Sequence, residues 1–206
     1  MSNKVGYFLL SLVWLVQPAQ KSGFHILLPA SVYRTSCLSG NPSVPAKLSY
    51  TKSLRFNIYS FTIAASDSGR TRNLQVKAYR GALLLTNFTM LVDGPVMGAE
   101  VADLDSNRFP ELYVYTTTDG SGSFGRVYAW QFLPERKADI LLPAWQTPEV
   151  DGYMGHDSLW IEQSRLFRKF PVYRAGDANV APSGGYRLTR YQLKPSKNGF
   201  ALIAEP

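Results

Sequence analysis

The sequence predicts an all-β protein: an antiparallel β-sandwich with long loops, one domain following an N-terminal leader. Three observations carry this. From about Leu54 onward, short runs alternate apolar and polar residues with period two. Gly, Asn, Asp and Pro punctuate those runs. No segment sustains the 3.6-residue period of an amphipathic helix, although one helix would fit around Asp157–Phe170. A hydrophobic content of 45% with 13% aromatics excludes a disordered chain. Two packed layers are the natural solution, because each alternating strand has one apolar face to bury.

Taken in order, Lys4 precedes Val5–Val16, a mostly apolar run, and Pro18 breaks it. One positive charge, a short apolar core and a breaker describe a secretory signal peptide. The run falls short of the roughly twenty residues that span a membrane. Residues 1–22 are therefore read as a signal peptide and the protein as periplasmic or secreted, with no stable membrane span after processing. An uncleaved anchor and a buried strand of a cytosolic protein are the alternatives. Residues 23–53 lack periodicity, contain the turn-rich Ser39–Lys47, and read as a variable extension. The domain proper is 54–206. In it, Phe56, Ile58 and Ser60 alternate with Asn57, Tyr59 and Phe61, and Leu74, Val76 and Ala78 with Gln75, Lys77 and Tyr79. Leu112 and Val114 share a face opposite Tyr113 and Tyr115; Val127 and Ala129 oppose Tyr128, Trp130 and Phe132. Leu159 and Ile161, then Leu188, Tyr191 and Leu193, then Phe200, Leu202 and Ala204 mark the late strands.

The net charge of +7 favours acidic partners. The basic residues are dispersed, with the densest run at Arg165–Lys169, and no nucleic-acid-binding motif occurs, so no nucleic-acid partner is expected. The single cysteine, Cys37, excludes an intrachain disulfide and a thiolate metal cluster.

Gly120-Ser121-Gly122-Ser123-Phe124-Gly125 satisfies G-x-G-x-x-G. A dinucleotide fingerprint needs a helix after the glycines to present amides to a pyrophosphate. Here a β-branched, aromatic run follows, so the glycines join a hairpin. A kinase loop also lies in a hairpin, but its lysine strand, H-R-D and D-F-G are missing and too little chain follows. The loop reads as a glycine-shaped tip that carries Ser121, Ser123 and Phe124 outward.

Asp103, Asp105 and Asn107 alternate like the start of a calcium loop. Arg108 stands where the loop needs Gly and Val114 where it needs a bidentate Glu, so the group is read as closing a turn, and no metal or other cofactor is expected. His156 beside Asp157 could suggest a base and its orienter, but sequence neighbours rarely face one another, and no complete catalytic constellation is visible. The protein is not read as an enzyme. Leu83, Leu84 and Leu85 cannot all face the core of one strand, so Leu85 is a candidate for an exposed apolar patch, with sheet burial as the alternative.

The run Ala102–Trp130, then Gly152–Asp157, Phe170–Tyr173 and Pro182–Arg187 in that order, resembles the periplasmic inhibitors of i-type (invertebrate) lysozyme, the PliI family, over about residues 54–206. The resemblance implies a secreted bacterial β-sandwich, often a homodimer, that blocks a host lysozyme. It implies that Ser121, Gly122, Ser123 and Phe124 match an S-G-x-Y loop that enters the lysozyme cleft; Leu85, His156 and Asp157 are taken with them as candidate contacts. Two departures stand out. Phe124 replaces the family's Tyr, and Ser106-Asn107-Arg108 replaces a Gly-Asp-Gly-like turn. The positive charge would assist only against an acidic lysozyme. A periplasmic envelope- or carbohydrate-binding sandwich without inhibitory activity is the alternative reading.

Overall fold

A computed structural model describes residues 48–66, 69–142, 151–197 and 199–205. The signal-peptide reading, Cys37 and nearly all of the expected extension lie outside the described residues. The protein is all-β. Four strands, β1 (Leu48–Phe56), β2 (Tyr59–Ser66), β3 (Thr71–Arg80) and β4 (Leu83–Asp93), form an antiparallel sheet in sequence order. β1 begins N-terminal to residue 54, so the sheet takes in Leu48–Ser53, which the sequence reading assigned to the extension.

The second sheet contains β5 (Val96–Ala102), β6 (Glu111–Thr117), β7 (Gly125–Phe132), β8 (Lys137–Leu141), β9 (Ser158–Glu162), β10 (Arg165–Pro171), β11 (Tyr186–Ser196) and β12 (Gly199–Ala204). Its order is β5-β6-β7-β8-β12-β11-β10-β9. The pairings are antiparallel except β8–β12, which is parallel through Phe200 opposite Ile140 and Ala201 opposite Leu141. The sheet curls until its two end strands meet: the Glu100 carboxylate on β5 accepts a hydrogen bond from the Ile161 amide on β9 at 2.8 Å and from the Tyr115 hydroxyl at 2.7 Å.

Two cores follow from the alternation. Phe61, Ile63, Leu74 and Val76 of the first sheet pack with Leu112, Val114, Trp130 and Phe132 of the second. Tyr113, Tyr115, Val127 and Ala129, from the opposite faces of β6 and β7, pack inside the curl with Leu166, Tyr191, Leu193 and Leu202. Each large apolar side chain so buried contributes about 1.5–3 kcal/mol. β6 serves both cores, and every residue from Glu111 to Thr116 is buried.

Two expectations are corrected. The alternation expected through Ile58 is interrupted by a two-residue turn at Asn57-Ile58; Phe56 pairs with Tyr59, Asn57 takes the left-handed backbone (φ 51°), and Ile58 is exposed. Asn tolerates that conformation because its short polar side chain bonds locally. The helix that would fit Asp157–Phe170 is the β9–β10 hairpin, closed by Gln163 (φ 46°) and Ser164 (φ 57°) between the paired Glu162 and Arg165. Consecutive positive φ values match the right-handed twist of the strands.

Candidate functional site: a braced hairpin loop

The glycine-rich segment is the loop between β6 and β7, as its flanking alternation predicts. Thr116 pairs with Arg126 and Thr117 with Gly125, and Thr118 closes the base: its amide donates to the Phe124 carbonyl, and its hydroxyl accepts from the Phe124 amide, both at 3.0 Å. At the tip the Ser123 amide donates to the Gly120 carbonyl at 3.3 Å. Gly120 (φ 131°) supplies a backbone conformation closed to other residues.

The loop is not a free projection. The segment 152–157 braces it from one side. The His156 amide donates to the Gly122 carbonyl at 2.7 Å, and Asp157 Oδ2 accepts from the Gly125 amide at 2.7 Å. Asn179 Nδ2 donates to the Ser121 carbonyl at 2.8 Å. Phe124 stands edge-on to Tyr153, centroids 5.6 Å apart, and keeps 40% of its surface exposed. Gly122 lies under the Phe124 ring: a Cβ there would meet the ring at 2.4 Å. The outward tip expected from the sequence is thus corrected in one respect. Ser121 and Phe124 are exposed, whereas Gly122 and Ser123 are half-buried against the brace.

Behind the brace lies a buried ion pair. Asp157 Oδ1 accepts from Arg168 Nε at 2.7 Å, with the two side chains 0% and 2% exposed. The Tyr153 hydroxyl donates to Asp157 Oδ2 and accepts from Arg168, both at 2.7 Å, and the guanidinium also lies over the Tyr153 and Phe170 rings. Burial opposes the Arg168 charge, but the Asp157 carboxylate together with Tyr153 and Tyr191 outweighs it and holds the pKa above the ordinary value. Burial, reinforced by the hydrogen bond to Asp157, raises the Tyr153 phenol. This cluster places Asp157 as the anchor of the loop's base.

His156 and Asp157 do not form a dyad. The imidazole reaches Asn179 Oδ1 at 3.3 Å and stands near the Tyr173 ring, while the Asp157 carboxylate is taken up by Gly125, Tyr153 and Arg168. Leu85 is apart from this group: it packs half-buried against the inter-sheet core, while Leu83 and Leu84 are the exposed members of the leucine run. Sequence reasoning missed Tyr153, Arg168 and Asn179. For Arg168 a signal exists, since it falls between Leu166 and Phe170 on the inward side of a strand, where a charge requires a partner.

At the other end of β6, the aspartates close a turn. Asp103 accepts from the amides of Asn107 (3.0 Å) and Arg108 (2.8 Å); Asp105 accepts from the Asn107 amide (3.2 Å) and side chain (2.9 Å). Asn107 Oδ1 accepts from the Phe109 amide at 2.8 Å. Glu111, not singled out in the sequence, lies beneath them, fully buried, accepting from the Leu104 amide at 2.8 Å and from Gln131 Nε2 at 2.9 Å. Burial, with the two aspartates adding to it, pushes its carboxyl up to about 8.

No protein-family model matches this chain, and no curated protein matches it.

Proposed function

We propose that the protein is a lysozyme inhibitor that presents Ser121-Gly122-Ser123-Phe124 to the active-site cleft of an i-type lysozyme. The observation that carries this reading is the bracing of the loop: the Ser121 and Gly122 carbonyls and the Gly125 amide are all held from behind, by Asn179, His156 and Asp157. A loop ordered before binding loses little conformational entropy on binding. Lysozymes cleave glycosidic bonds with a carboxylate pair in a cleft. The exposed Ser121 offers a hydroxyl donor to such carboxylates, and Phe124 offers an apolar anchor of the kind that dominates interfaces. Export to the periplasm and a homodimeric state accompany this reading. Its test is residual lysis of a peptidoglycan substrate by i-, c- and g-type lysozymes with the purified protein added. Protection against the i-type enzyme is expected; no protection against any class overturns it.

A second reading, an envelope- or carbohydrate-binding sandwich without inhibition, rests on two features. Phe124 lacks the hydroxyl of the family's Tyr. A cavity of about 220 Å³ also opens beside the loop's base, lined by Lys52, Glu100, Tyr115, Thr117 and Asp157 among others. Phe124→Tyr separates the two, since a gain of tight lysozyme binding shows an intact scaffold with an altered key residue.

A further inference from the structure

The turn between β5 and β6 gathers three carboxylates without a cation. One oxygen from each of Asp103, Asp105 and Glu111 lies within 4.8 Å of the others. That is the span across a calcium ion, whose oxygen ligands stand at about 2.4 Å. Among the described residues, no Lys or Arg pairs with any of the three. A second feature adjoins the same place. Gln131 Oε1 and the Tyr113 hydroxyl are buried with no hydrogen-bond partner, in side chains that are both 0% exposed. Gln131 already touches Asp105 (3.2 Å) and Glu111 (2.9 Å) through its Nε2. A buried polar atom without a partner, beside three carboxylates that no Lys or Arg pairs, calls for a bound water or ion.

We propose that Asp103, Asp105 and Glu111 bind one calcium ion. The ion balances the carboxylates, and the water that calcium keeps in its shell supplies partners to Gln131 Oε1 and the Tyr113 hydroxyl. An all-oxygen donor set disfavours zinc, which is bound chiefly through sulfur and nitrogen. Magnesium needs oxygens at about 2.0–2.1 Å in near-ideal octahedral geometry, a tighter cage than this one. The third carboxylate comes not from the position that a linear calcium loop uses, where Val114 stands, but from Glu111, brought under the turn by β6.

The test uses the whole protein, stripped with a chelator and then titrated with calcium. Thermal unfolding is expected to rise by about 5–10 °C at a hundredfold excess over Kd. Magnesium at the same concentration is expected to shift it less. Terbium is expected to bind with emission sensitised by tyrosine excitation and to be displaced by calcium. Asp105→Asn, which keeps the shape of the turn, is expected to weaken calcium binding at least tenfold. Absence of both the calcium shift and the terbium emission overturns the proposal, as does a calcium shift unchanged in the Asp103→Asn/Asp105→Asn variant. An equal magnesium shift overturns the choice of calcium.

Discussion

The Gly155 α-carbon faces the Gly122 carbonyl so closely that a Cβ on Gly155 would stand 1.8 Å from that oxygen. Gly155 also has φ 89°, a conformation that L side chains rarely adopt. Gly155→Ala must therefore move the loop, the brace, or both. It is expected to cost more than about 1 kcal/mol of stability in urea unfolding and, under the inhibitor proposal, to weaken lysozyme inhibition by a larger factor than that loss explains. Unchanged inhibition would show that the brace does not carry the proposed activity.

The Asp157–Arg168 pair is buried, so the removal of one partner strands the other. Asp157→Ala is expected to cost about 3–5 kcal/mol. The double variant Asp157→Leu/Arg168→Met is expected to recover part of that cost in the same denaturation measurement, because no charge is then left unpaired. Its loop should nonetheless be looser, since the bond from the Gly125 amide to the Asp157 carboxylate is gone, and hydrogen exchange at Gly125 is expected to quicken.

Phe124 packs edge-on to Tyr153 and over Gly122 but keeps 40% of its surface exposed, which makes it a direct probe of the loop. Phe124→Tyr is expected to change stability by less than about 1 kcal/mol and, under the inhibitor proposal, to tighten lysozyme binding about tenfold or more, by one hydrogen bond to a charged group. Phe124→Ala is expected to cost about 2 kcal/mol or more of binding, measured by calorimetry.

The Gln163-Ser164 turn holds two non-glycine residues at positive φ. Asn-Gly is the pair that this geometry favours. The Gln163→Asn/Ser164→Gly variant is expected to gain about 0.5–2 kcal/mol in denaturant unfolding with no change in inhibition.

Asp177 ties down the segment that carries Asn179. Its carboxylate accepts from the Arg174 amide (2.7 Å), the Ser183 amide (2.8 Å) and the Ser183 hydroxyl (2.8 Å). Those bonds, led by the Arg174 amide, hold its pKa below the ordinary carboxylate value. The stability they add is therefore complete above the ordinary carboxylate range and is lost as pH falls through the depressed value. Amide exchange over residues 174–183 is expected to speed up on acidification, and in Asp177→Asn to be fast already at neutral pH.

How far these features could be read from sequence depends on where the controlling interaction lies. Leu74, Val76 and Ala78 were legible because one face of a strand meets one core, and the hairpin around Gly120–Gly125 because its flanks alternate. Leu159 and Ile161 mark β9, but Gln163-Ser164 is not the Asn-Gly-like pair that signals a two-residue turn, so the closure of the β9–β10 hairpin is not announced locally; tertiary pairing of Arg168 and its neighbours with β11 imposes it. The loop residues themselves were visible, but their brace was not. Asn179 and Arg168 reach the site across the fold, and only the register of β10 and the course of the loop before β11 bring them there. Glu111 was silent for the same reason, since its partners Leu104 and Gln131 meet it only once β6 and β7 have paired.

The position of β12 has a consequence for how the molecule is made. This strand follows all the others in the chain yet lies between β8 and β11. Until it arrives, β5–β8 and β9–β11 are two separate ribbons, and the tyrosine-rich interior they will share stays open to solvent. Closure depends on contacts far apart in sequence, which form slowly, so the protein completes its fold only after synthesis has passed residue 204. A chain halted before that point would expose two unpaired sheet edges, at β8 and β11, to whatever else is aggregating nearby.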